Sequence, residues 1–232
     1  MITSKQQSGF TIIESLMAIV VVGILMTSIA PVITLSVANR VQARRVELAT
    51  QAAKAYVDGV RTGDIPAPLH TVRLDEVDSN KNFTSQRTSF AQEAPPSTAG
   101  GLFCPMTTRD YPYCSNTSIS SLYCFDVDGN GCSANSFKDL VVQSFRSFTP
   151  NSRDADKAYL LGVRVYRADA FSDRTSLVKS DAETKRTQAS FTGGLGDRKV
   201  PLVEMTTEIV TEKAKFRDLC DRLGGCQERG KI

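Results

Sequence analysis

The sequence predicts an α+β protein: one long N-terminal α-helix packed on a small antiparallel β-sheet head, with long loops stapled by disulfides. Three observations carry this expectation. From Phe10 to Ala38 the chain is apolar, with Glu14 as its only charged side chain. Beyond it, Ala49, Ala52, Ala53, Tyr56, Val57 and Val60 recur three and four residues apart, the spacing of one helix face. Further on come three β-rich segments and six cysteines, all outside the apolar run.

Taken in order, residues 1–9 form a short polar leader whose only charged side chain is Lys5. Residues 10–39 are longer than the roughly 20 apolar residues that cross a bilayer. A secretory signal would carry its small-residue cleavage site after the apolar region. Here the processing-like junction, Gly9-Phe10, lies before it, so a cut there removes the leader and keeps the anchor. Glu14 is costly at membrane depth, about 2.5–3.5 kcal/mol on insertion scales, and such a charge usually serves function. Pro31 removes a backbone donor and is expected to kink or melt the helix. Residues 40–63 form the amphipathic half, ended by Gly63 and Pro66. A helix from Phe10 to Arg61 would be a rod about 78 Å long.

Residues 64–232 make the head. Ile65 to Gly101 reads as an extended loop with at most a short helix or strand, punctuated by Pro95-Pro96 and Gly100-Gly101. Strands are expected over Asp139–Ser147, Tyr159–Ala168 and Val200–Thr207, and Thr149–Lys157 is placed to join the first two as a hairpin. Asp169–Lys199 is polar and reads as a long surface excursion, and Lys213–Leu223 as a short helix stopped by Gly224-Gly225.

Composition narrows the function. The chain has 232 residues, 41% hydrophobic and 23% charged, with a net charge of +3. Only Arg40, Arg44 and Arg45 cluster, which suits a solvated helix face outside a membrane better than a nucleic-acid surface, so no nucleic-acid partner is expected. Enzymatic activity is not expected either. His70 is the only histidine and sits in a proline-rich loop. No serine stands in a G-x-S-x-G elbow, and Gly193-Gly194-Leu195-Gly196 lacks the lysine and threonine of a phosphate-binding loop.

The leader, Gly9-Phe10-Thr11 and Glu14 within the apolar run resemble the N-terminus of type IV prepilins and pseudopilins. The resemblance is specific over about the first 35 residues. It implies the pilin fold, a helical spine across an antiparallel sheet. It implies cleavage between Gly9 and Phe10 by a prepilin peptidase and N-methylation of Phe10. It implies a single-pass inner-membrane protein with a periplasmic head, delivered through an assembly platform into a pilus or pseudopilus that can reach the cell surface. Glu14 matches the family's glutamate. Its carboxylate and the Phe10 amine of a neighbouring subunit are opposite charges, and in a low-dielectric bundle they attract far more strongly than in water. The charge distribution points the other way on topology: Lys5 precedes the span and three arginines follow it, which alone would keep the head inside. The length suits a minor rather than a major subunit. The segment Cys104–Cys132, with Lys138–Arg146 and Tyr159–Phe171, is also similar to pseudopilins of the hormogonium polysaccharide-secretion group of filamentous cyanobacteria. That similarity implies a role in polysaccharide export and gliding. The runner-up readings are a filament-tip adhesin or carbohydrate-binding subunit, and a type II secretion pseudopilin.

Two features of the head stay open at this level. Asp126, Asp128 and Asn130, followed by Gly131, match the first half of an EF-hand-type calcium loop. Phe137 stands where the bidentate glutamate belongs, and Asp139 lies near. A calcium site and a tight polar turn both fit. The cysteines are Cys104, Cys114, Cys124, Cys132, Cys220 and Cys226. Six allow 15 connectivities, which sequence does not resolve. A local scheme would join Cys124 to Cys132 around the aspartate loop and Cys220 to Cys226 as a C-terminal staple of the kind pilins often use, leaving Cys104 with Cys114.

Overall fold

The computed structural model describes residues 11–74, 90–98, 102, 104, 113–114, 121–148, 155, 157–179 and 197–216. The leader, Gly9, Phe10, Gly100-Gly101, Gly193–Gly196, Cys220 and Cys226 lie outside them. So do most of the Thr149–Lys157 connection and the part of the expected Lys213–Leu223 helix beyond residue 216.

Helix α1 runs unbroken from Ile12 to Thr62, 51 residues, close to the expected bounds. It does not melt at Pro31, which lies inside it. Hydroxyl side chains in the apolar half bond back to carbonyls one turn earlier: Thr27 to Gly23 at 3.1 Å and Ile24 at 2.9 Å, Ser28 to Leu25 at 2.8 Å, and Thr34 to Pro31 at 2.9 Å. Such bonds let polar side chains sit on an apolar surface at little cost. Gly63 ends the helix at φ 81°, and the chain folds back so that the Ile65 amide reaches the Gly59 carbonyl at 2.9 Å.

Among the described residues five strands follow: β1 (Thr71–Arg73), β2 (Ser121–Phe125), β3 (Leu140–Phe148), β4 (Tyr159–Arg167) and β5 (Val203–Ile209). The sheet is mixed, not antiparallel throughout. β2–β3, β3–β4 and β4–β5 are antiparallel, whereas β1 pairs parallel to β3. One edge of β3 is shared end to end: β2 takes Leu140–Ser144 and β1 takes Arg146–Phe148. At that junction the Ser121 hydroxyl accepts from the amides of Leu69 (3.0 Å) and His70 (3.1 Å). The boundaries shift modestly from expectation. Ala168 opens a 3-10 turn (Ala168–Phe171) rather than ending β4. β5 starts later because Asp197–Val200 form a turn and Pro201 has no amide to give.

The two faces of the sheet are covered differently. On one, α1 lays Ala49, Ala52, Ala53, Tyr56, Val57 and Val60 against Leu140, Val142, Tyr159, Leu161, Val163 and Val165. Small alanines let the helix approach closely, and burial of this apolar area is worth about 25 cal/mol per Å². On the other, two smaller clusters form: Phe90, Phe145, Leu160 and Leu74, and Leu122, Val141, Tyr166 and Phe171. Every residue of β4 is therefore buried.

Candidate functional site

The apolar half of α1 is the first candidate. Its side chains from Ile12 to Val37 are exposed, and the stretch that could cross a membrane has none of its residues buried against the head. An apolar surface of this size calls for lipid or neighbouring subunits. Glu14 occupies the first turn of α1. Its amide and that of Ser15 bond to the Thr11 carbonyl at 3.1 and 3.2 Å, so the helix start is set by backbone alone. A carboxylate there interacts favourably with the positive end of the helix dipole, worth roughly 0.3–1 kcal/mol. Among the described residues the Glu14 carboxylate has no ion-pair partner. Phe10 and its amine lie outside those residues, so their spatial relation to Glu14 is not described.

The second half of α1 is locked to the head by polar contacts that sequence reading missed. Tyr56, fully buried, lies 2.8 Å from the Ser144 hydroxyl and 2.7 Å from the Tyr113 hydroxyl; Tyr113 donates to the Pro66 carbonyl at 2.6 Å. Tyr123 packs against both tyrosine rings, with centroids 5.4 and 5.9 Å away. Burial pushes the Tyr56 phenol well up and the Tyr113 phenol up to about 12. Arg45 is half-buried; burial lowers its pKa first, and Arg167 next, while Asp169 acts in the opposite sense. Arg167 and Asp169 form a bidentate buried pair. Of the three arginines after the apolar run, Arg45 is thus half-buried, while Arg40 and Arg44 remain exposed.

The far face is organised by Arg164, which has no solvent exposure. Its Nε donates to Glu204 at 2.9 Å, Nη1 to the Glu93 carbonyl at 2.7 Å and Nη2 to the Ala91 carbonyl at 2.6 Å. Gln143 Nε2 holds the Ala94 carbonyl at 2.7 Å. His70 joins the same segment through Glu93 at 2.9 Å. The signal available in the sequence was Arg164 itself, a charge in the middle of the strongest strand.

The aspartate loop closes the β2–β3 hairpin, with the Cα atoms of Cys124 and Cys132 6.2 Å apart and their sulfurs at disulfide distance. Cys104 and Cys114 are likewise at disulfide distance, Cα atoms 4.1 Å apart. Carboxylate oxygens of Asp126, Asp128 and Asp139 lie within 4.8 Å of one another. Asn130 is exposed and contributes its amide to Asp128 at 3.2 Å. Asp126 accepts from the Gly129 and Gly131 amides, each at 2.7 Å. Asp139 accepts from Val127 at 3.1 Å and Ser133 at 3.3 Å. These bonds account for the three carboxylates as turn formers. Each oxygen keeps a second lone pair, so the donor set also suits a hard, oxygen-seeking cation such as calcium. Phe137 is exposed and supplies no ligand.

The Gly131 amide holds the Asp126 carboxyl below its ordinary value; desolvation, the next-largest effect, opposes it, and the amides of Gly129, Asp128 and Asn130 add to the lowering. A lowered folded-state pKa stabilises the loop above the unfolded value, near 4, and that contribution is lost as pH falls through the folded one. Amide exchange at Gly129 and Gly131 is therefore expected to stay slow from neutrality to about pH 4 and to accelerate only below it, beyond the intrinsic acid dependence. Acceleration already near pH 6 would contradict this.

These observations define a class: a long N-terminal helix, apolar and exposed over its first half and long enough to cross a membrane, on a disulfide-stapled α+β head. Residues 4–30 match the family model described as the prokaryotic N-terminal methylation motif. That match supports a type IV pilin-like protein, a pilin or pseudopilin subunit. The motif implies assembly with other pilin subunits and processing by a prepilin peptidase, and its family is structural rather than enzymatic. With the exposed apolar helix, it fits a membrane-anchored protein that is later assembled into a pilus. No curated protein and no solved structure matches the chain.

Proposed function

We propose that this chain is a minor pilin or pseudopilin, a non-enzymatic subunit of a type IV pilus-like or secretion filament. It is cut between Gly9 and Phe10, methylated at Phe10, and held in the inner membrane with its head in the periplasm before assembly. The supporting observation is the division of α1: an unburied apolar half bearing Glu14, continuous with a half docked on the head. Glu14 of one subunit pairs with the Phe10 amine of another and sets their axial register. The ground for reading that machine as one that exports polysaccharide during gliding is the sequence resemblance of Cys104–Cys132, Lys138–Arg146 and Tyr159–Phe171 to hormogonium pseudopilins.

The test joins two measurements. Mass spectrometry of the mature chain should find N-methylated Phe10 at its start; an intact Met1 would overturn the reading. Glu14→Ala should remain processed and membrane-inserted but fail to assemble. Breaking a pair in low dielectric costs about 3–5 kcal/mol, so incorporation into filaments should fall about a hundredfold or more. Normal incorporation would remove Glu14 from the mechanism.

The converging carboxylates favour a second reading of the head, a calcium-dependent binding surface at Asp126, Asp128 and Asp139. Millimolar calcium should then raise the Tm of the full chain in detergent by a few degrees, and Asp126→Asn should abolish the rise. No shift in the wild type would leave the loop a turn and nothing more.

A further inference from the structure

The two bridges are neighbours in space. Cys114 forms an isolated antiparallel bridge with Leu122, its amide 2.6 Å from the Leu122 carbonyl. Leu122 and Cys124 are two apart on β2 and so share a face. Cys124 is thus the diagonal neighbour of Cys114, and all three belong to the same apolar cluster as Cys104. The sulfurs of Cys104, Cys114 and Cys124 lie within 4.8 Å of one another. The fourth sulfur, Cys132, is not in that group; it ends the aspartate loop.

We propose that the two bridges form one exchangeable pair, in which opening Cys124–Cys132 passes the neighbouring disulfide onto Cys124. An external thiol or dithiol attacks Cys132, which takes up the mixed disulfide while Cys124 leaves as a thiolate. A dithiol then resolves this to its own cyclic disulfide and a free Cys132. The Cys124 thiolate attacks the Cys104–Cys114 bond, forms a disulfide with one of those sulfurs and releases the other as a thiolate. The second step needs no further reagent: one disulfide breaks and one forms. Its product frees the aspartate loop at Cys132 while β2 stays cross-linked to the Cys104–Cys114 segment. Reduction would then act selectively on the loop that carries Asp126 and Asp128.

Cys132→Ser in the full chain, purified in detergent, presents the Cys124 thiol without any reductant. After equilibration near pH 8, acid quench and alkylation, peptide mapping should show loss of the free Cys124 thiol and gain of label on Cys104 or Cys114. Label confined to Cys124, with Cys104–Cys114 intact, would overturn the proposal. So would Cys124 joined to Cys220 or Cys226. A second measurement guards against misfolding of the variant. Wild-type protein treated natively with limiting dithiothreitol should be labelled at Cys132 together with Cys104 or Cys114. Label on Cys124 and Cys132 alone would again refute exchange. Unfolding the same sample in guanidinium should spread the cross-links to Cys220 and Cys226, which distinguishes native proximity from scrambling.

Discussion

Arg164→Ala is expected to cost about 3–5 kcal/mol, the range found when one partner of a buried ion pair is removed. The loss would strand the Glu204 carboxylate and three groups on the far face, the Ala91 and Glu93 carbonyls and the Gln143 side-chain oxygen. It would also take away the guanidinium that sits 5.1 Å from the Phe145 ring centroid. Against a typical total of roughly 5–15 kcal/mol, the head would be marginal or unfolded at 37 °C. The chain has no tryptophan, so urea denaturation of the detergent-solubilised protein is best followed by tyrosine fluorescence or near-ultraviolet dichroism. The paired replacement Arg164→Met with Glu204→Leu should recover a substantial part of the loss, because a charge is no longer left alone. A single substitution costing under about 1 kcal/mol would show that the far-face segment is held by packing instead.

Gly162→Ala comes next in size. A Cβ on Gly162 would meet Phe145 Cε2 at 2.3 Å and Cζ at 2.4 Å. The two residues are direct partners across β3 and β4. Phe145 has little freedom to give way, being held by Phe90, ring centroids 4.9 Å apart, and by Arg164. Overpacking of this kind costs about 1–3 kcal/mol. The ring is the cause, so Phe145→Leu should relieve the strain: the double variant should be more stable than the sum of the two single losses allows. Strict additivity would place the cost of Gly162→Ala in the backbone.

Most of the spine was legible because it depends on local periodicity. The apolar run, the alanine stripe and Gly63 give α1 nearly residue for residue. β3 and β4 were also legible, since each nine-residue segment is rich in apolar side chains, with β-branched and aromatic residues among them. β1 was not. Three residues in a proline-rich stretch carry no pattern, and their parallel pairing is fixed by the distant end of β3. β2 hid among the cysteines, where Cys124 reads as one end of a stapled loop. The antiparallel expectation failed at β1 alone.

The site divides the same way. Asp126 and Asp128 announce themselves by spacing, and Asp139, noted in the sequence as lying near, is brought to them when the hairpin closes. Arg164 was visible as a charge within the expected Tyr159–Ala168 strand, but nothing in the sequence marks it as buried. It is buried because residues 90–98 cover that face, and their carbonyls become its acceptors. The juxtaposition of Cys114 and Cys124 likewise depends on one bridge to Leu122, a contact with no sequence signature.

The asymmetric covering of the sheet has a mechanical consequence. A pull on the apolar end of α1 enters the head through the alanine stripe and Tyr56, and so reaches β3, β4 and β5 from one side. The segments on the other side, clamped by Arg164 and Gln143, are bystanders to that tension. The head thus has a loaded face and an idle one. Insertions on the idle face would change what the surface presents without weakening the line along which a filament transmits force.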